Sequence, residues 1–258
     1  MRSAAAWHTK DYMEFALLFA AAFLAGSINA VAGGGSFLTF PALVYSGVPP
    51  IIANASSTVA LFPGSFVSAW AYRRDFVPFA GVGLWSMLAV SIVGGAVGAL
   101  LLLWTPAQTF DRIVPWLLLG ATLLFAFGRQ VTPLLRRVFP VGPASLLTLQ
   151  FGIAIYGGYF GGAIGILMLA LYGVFGLDDL NAMNAAKTLL AGVMNAAAVL
   201  CFVAAGMIWW PQTLVMLAGA VIGGYAGARV ARRINPNWLR AGVTIFGLAM
   251  SAAFFLRE

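Results

Sequence analysis

The chain has 258 residues, 62% of them hydrophobic and 8% charged, with a formal net charge of +7. A soluble domain carries about a quarter of its residues as charges, so this composition excludes an ordinary water-soluble globule and points to a chain bathed in lipid. The positive balance is no signature of a nucleic-acid binder, because the arginines form no stripe on a soluble face. They bunch at Arg73–Arg74, at Arg129, Arg136 and Arg137, and at Arg229, Arg232 and Arg233, as cytoplasmic loops do under the positive-inside rule.

Ten apolar segments follow one another along the chain. The first five are Met13–Ala32, Gly34–Ser46, Ile51–Ala71, Phe79–Leu103 and Ile113–Phe127; the second five are Ala144–Phe160, Ala163–Phe175, Leu180–Ala205, Gln212–Val230 and Trp238–Leu256. The opening stretch Phe15–Ala25, with Ser27–Ala30 behind it, has the outline of a secretory signal. It also has a counterpart around Gly152–Gly162 in mid-chain, and is therefore read as the first membrane helix. The polar connector Gly128–Pro143 separates the two sets. The expected organisation is a first membrane repeat over 1–128, a cytoplasmic linker over 129–143 and a second repeat over 144–258. Trp104, Trp116, Trp209, Trp210 and Trp238 lie near segment ends, where interfacial anchors sit.

The two sets are copies. A shift of 130 brings Gly35, Asn54, Ala55 and Thr58 onto Gly165, Asn184, Ala185 and Thr188; a shift of 129 brings Gly94–Ala99 onto Gly223–Ala228. The expected fold is an all-α polytopic membrane protein built from two inverted-topology repeats of about five segments each. Placing every arginine cluster on one face requires an odd number of crossings per half, and so inversion with both termini outside. The second segment of each set is short and entered by glycine. Some 13 residues reach about 20 Å, against a hydrocarbon core near 30 Å. Short, glycine-interrupted segments at matching places in two halves point to a transporter's binding site.

Around those segments lie the candidate substrate contacts: Asn29, Gly33, Gly34 and Gly35 before the first short segment, then Asn54, Ser56, Ser57 and Thr58, with Asn184, Lys187 and Thr188 in the second copy. Ser57 and Lys187 are equivalent under the repeat, so the two clusters are expected to face each other. Helix caps and polar packing are the competing reading for the hydroxyls. Lys187 sits about 10 Å inside an apolar segment, where a charge costs at least about 2.5 kcal/mol and is usually functional. A cation beside helix N-termini and glycine N–H groups suits an anion.

No carboxylate lies deep in an apolar segment. Coupling is left open between protonated substrate, Lys187 itself and the anion's own gradient. Asp178–Asp179 is expected to cap the helix beginning at Leu180. The lone Cys201 excludes an internal disulfide, and no cofactor or metal is called for. The Gly94/Gly98 and Gly223/Gly227 pairs suit close helix packing, which leaves room for homo-oligomers without fixing a number.

The run Asn29–Pro41, with its glycine triplet and short segment entered toward proline, followed by Asn54–Ala–Ser–Ser–Thr58, resembles the sulfite exporter TauE/SafE family. The resemblance spans nearly the whole chain. It implies a bacterial inner-membrane exporter of sulfite, an organosulfonate or a related small acid, with sulfite as a default rather than a deduction. In the second half Gly161–Gly162–Ala163–Ile164–Gly165 and Leu171 depart from the family's glycine-rich turn and proline. The alternatives carried beside a secondary transporter are an anion channel, a membrane scaffold and, remotely, an intramembrane hydrolase with Ser57 activated by Lys187.

Overall fold

The computed structural model describes the backbone of residues 4–31, 34–78, 81–138, 142–230 and 236–256, and the side chains of 12–29, 34–78, 81–127, 142–227 and 241–256. Among the described residues the structure is helical: α1 (Ala4–Val31), α2 (Ser36–Tyr45), α3 (Pro50–Ala71), α4 (Leu84–Trp104), α5 (Ala107–Val138), α6 (Pro143–Tyr159), α7 (Ile164–Val174), α8 (Leu180–Ala204), α9 (Trp210–Val230) and α10 (Pro236–Phe255). Each apolar segment of the sequence is one helix. The largest departure is α5, which starts six residues before its apolar segment and ends eleven after it. Apolar runs mark hydrocarbon, and a helix can continue beyond it.

Among the described residues five helices contain stretches long and apolar enough to span a membrane: Tyr12–Asn29, Pro50–Ala71, Leu84–Trp104, Ala107–Phe127 and Leu180–Ala204. Trp104 and Trp116 are strongly exposed on the outside of the bundle, and Trp209 and Trp210 are also exposed. The short helices α2 and α7 have 10 and 11 residues, about half the hydrocarbon thickness. At the head of α8 the cap is Asp179, whose carboxylate accepts the Ala182 N–H at 2.8 Å.

Glycine lets helices of one half meet helices of the other at backbone distance. Gly219, Gly223 and Gly227 of α9 lie against Phe19, Phe23 and Ser27 of α1 in that order, so the two run parallel. Gly94 and Gly98 of α4 lie against Phe151 and Ile155 of α6, also in order. A Cβ at Gly98 or Gly223 would fall on a neighbouring carbonyl oxygen. Close approach of this kind supplies the van der Waals contact on which association in lipid depends. These glycine faces are thus taken up within the chain.

With α1–α5 set against α6–α10 in order, the helix contacts are nearly symmetric. Exchanging each helix for its counterpart turns α1–α9 into α6–α4, α4–α8 into α9–α3 and α2–α3 into α7–α8, and maps α3–α8 and α5–α10 onto themselves; all are observed. The contact of α3 with α5 is the exception. Helix directions follow from three bonds. Gln212, at the start of α9, donates to Glu14 at 3.4 Å, and Trp209, just before α9, donates its N–H to Ser56 at 3.0 Å. Helices α1, α3 and α9 therefore begin on one face, and α8, which leads into α9, ends there. Helix α2 turns into α3 within four residues and is tied to it by Thr39 and Ser57, 2.6 Å apart. It leads back toward the face from which α1 enters.

Candidate functional site

A cavity of about 90 Å³ lies between α3 and α8, with room for about half a dozen waters. Its walls come from both halves. Ser57 and Thr58 of α3 and their counterparts Lys187 and Thr188 of α8 all line it, as do Asn29 of α1, Gly34 before α2, and Ile164 and Gly165 of α7.

The turn before α2 explains the glycines and Asn29. Gly34 has φ +105°, a left-handed conformation that other residues avoid. At Gly35 a Cβ would meet the Ala25 backbone, and its N–H is held by Asn29 Oδ1 at 2.7 Å. Gly33 lies outside the described residues. The turn before α7 is built otherwise. Gly161 has φ +78° and Ala163 φ +57°, the one non-glycine with positive φ among the described residues. Ser36 Oγ reaches from the first turn to the Gly161 carbonyl of the second at 3.5 Å.

On α3 and α8 the expected contacts divide. Ser57, 2% exposed, faces the cavity, and its hydroxyl is hydrogen-bonded to that of Thr39 at 2.6 Å. Thr58 and Thr188 line it too, and each bonds the main-chain oxygen of the asparagine four residues earlier, at 2.9 and 2.8 Å. Lys187, 4% exposed, lines it and donates from Nζ to Asn184 Oδ1 at 2.7 Å. Asn184 thus acts behind the lysine and does not line the cavity. Asn54 and Ser56 do not line it: Asn54 Nδ2 donates to the Tyr159 carbonyl at 2.9 Å, and Ser56 accepts from Trp209. Ser57 and Lys187, the pair a hydrolase would need, each form their hydrogen bonds with other groups.

The lining was incompletely foreseen. Ser65 and Ser68 of α3, and Asn195 of α8, also border the cavity. The signal was present in helical spacing, since Ser57, Leu61, Ser65 and Ser68 fall on one face at intervals of four, four and three.

The electrostatics are one-sided. Among the described residues Lys187 is the single charged member of the lining. Ser36 at the start of α2, and Ile164 and Gly165 at the start of α7, line the cavity, so the positive ends of both helix dipoles lie at it. The Phe37, Leu38 and Ile166 N–H groups behind them are already bonded to the Gly34, Gly35 and Ala163 carbonyls. Asp75, Asp111, Asp178 and Asp179 are all exposed on the outside of the bundle. Among the described residues no three His, Cys, Asp or Glu side chains gather as a metal ligand set. Such a chamber favours an anion.

A sequence model described as "Sulfite exporter TauE/SafE" matches residues 18–254. The chain is 32% identical over 239 residues to the probable membrane transporter protein YfcA of Escherichia coli (strain K12), covering 92% of this chain and 87% of that one. It is 29% identical over 245 residues to a probable membrane transporter protein of Haemophilus influenzae, covering 92% of each. Against the probable membrane transporter protein ORF9 of Sinorhizobium sp. it is 30% identical over 242 residues, covering 92% and 90%. No solved structure matches the chain.

Proposed function

This chain belongs to the sulfite exporter TauE/SafE family, and we propose that it carries a small anion, such as sulfite, an organosulfonate or a related organic acid, by alternating access between two inverted repeats. It is a membrane transporter, integral to the bacterial inner membrane. The observation that carries the anion reading is the α3–α8 cavity, whose one charge among the described residues is Lys187 and onto which α2 and α7 open their N-termini. Gly34, Ser57, Thr58, Lys187 and Thr188 are the proposed substrate contacts. Asn29, Gly35 and Asn184 hold those contacts in place.

Inversion is supported by the opposed directions of α3 and α8. With α1, α3 and α9 starting on one face, the arginine-bearing ends of α3, α5 and α9 share the other, which the positive-inside rule makes cytoplasmic. Alternating access is favoured over a channel because Ala198 and Phe202 of α8 are fully buried beyond one end of the cavity.

The test is flux of sulfite and of a sulfonate into liposomes holding purified protein, for the natural chain and Lys187→Ala. Flux is expected from the first and loss from the second. Equal flux from both would remove the proposed site. Binding is read separately from the rise in thermal stability with anion concentration, which follows when a ligand binds only the folded state.

A further inference from the structure

Residues 130 apart line the cavity in pairs: Ser57 with Lys187, Thr58 with Thr188, Leu61 with Ala191 and Ser65 with Asn195. Along α3 and α8 the pairing fails at two places. Gly64 and Ser68 border the cavity, whereas their counterparts Met194 and Ala198 are fully buried and do not. Packing accounts for the difference. Around Gly64 nothing stands within 4 Å of where a Cβ would be. Met194 instead offers its backbone to Gly95 of α4 and its sulfur to Gly157 of α6. Pro63, whose counterpart is Val193, also interrupts the hydrogen-bond ladder of α3 next to the open position. The polar stripe Ser57–Ser65–Ser68 thereby extends about 16 Å along α3 toward the end that carries Arg73 and Arg74.

We infer that Gly64, Ser65 and Ser68 form the access path between the anion site and the cytoplasm, and that Met194 and Ala198 hold the equivalent outward path shut. The inference rests on the transport reading above for its ligand, but its geometry is testable without one. In a Cys201→Ser background, Ser68→Cys and Ala198→Cys are treated with a membrane-impermeant maleimide in inside-out and right-side-out vesicles. Ser65→Cys serves as a second reporter if Ser68→Cys lowers expression. Labelling of the α3 reporter is expected from inside-out vesicles and lost from right-side-out ones, while Ala198→Cys stays slower to react. Gly64→Met is expected to protect the α3 reporter and to abolish flux.

Labelling of the α3 reporter from the outer face, or from neither, overturns the path even if anion flux persists. Inward labelling without anion flux in the natural chain keeps the path and removes the anion reading. Persistence of both labelling and flux in Gly64→Met overturns the role of the open glycine position.

Discussion

Asn54 and Asn184 stand at matching places on α3 and α8, and their side chains do opposite things: Asn54 donates to the Tyr159 carbonyl at 2.9 Å, and Asn184 accepts from Lys187 at 2.7 Å. One ties α3 to the end of α6. The other holds the buried ammonium of Lys187. Matching positions thus make a packing contact on α3 and a support for charge on α8.

Their substitutions should therefore separate. Asn54→Ala removes a buried hydrogen bond and should lower stability by about 1–3 kcal/mol, leaving the anion-induced stabilisation unchanged. Asn184→Ala strands the Lys187 ammonium and should also lower the stability of the empty protein. Anion then becomes the main partner of that charge, and the rise in melting temperature on adding sulfite should exceed that of the natural chain. Melting curves in detergent, with and without sulfite, check both.

Asn29 offers a test of charge at nearly constant shape. Asn29→Asp keeps an oxygen for the Gly35 N–H, so the turn before α2 should survive. The new carboxylate would border the same cavity as Lys187 and repel an anion. Anion flux should fall sharply while the melting temperature changes little. Asn29→Ala should do the reverse in emphasis, costing about 1 kcal/mol of stability through the lost bond. Parallel flux and melting measurements distinguish the two.

The glycine seams predict a contrast between two identical substitutions. Gly98→Ala forces a methyl onto the Ile155 carbonyl of α6, and overpacking of this kind should cost about 1–3 kcal/mol or more. Gly120→Ala, on α5 with nothing within 4 Å of the added carbon, should be neutral or stabilise by about 0.5–1 kcal/mol. Thermal unfolding of the two variants in one detergent reads the difference directly.

Pro63 denies α3 one ladder bond. Pro63→Ala allows it to form and should stiffen the helix beside Gly64. Turnover should slow while anion binding is kept. Flux and ligand-induced stabilisation, measured on the same preparation, check that split.

Much of this architecture could be read in the sequence because lipid imposes a plain code. Apolar runs gave all ten helices, and the copied residues Asn54–Thr58 and Asn184–Thr188 led to the two walls of the chamber. The ends of α5 were less legible, because hydropathy reports the thickness of hydrocarbon and not the reach of a helix. Asn54 and Ser56 were grouped with Ser57 by adjacency. Helical geometry turns consecutive residues by about 100°, so neighbours in sequence face different partners. Asn195 lay unmarked in an alanine-rich stretch, and only its match to Ser65 would have drawn it out. The loss of symmetry between Gly64 and Met194 depends on which backbone stands opposite each, which no local pattern announces.

The glycine seams also bear on how the protein comes to exist. Since α1 lies along α9 and α4 along α6, each half reserves its closest backbone contacts for the other. Produced alone, either half would present bare carbonyl-lined grooves to lipid tails. Neither half is therefore expected to fold alone, and splitting the polypeptide within the connector should leave two fragments that mature only when co-expressed.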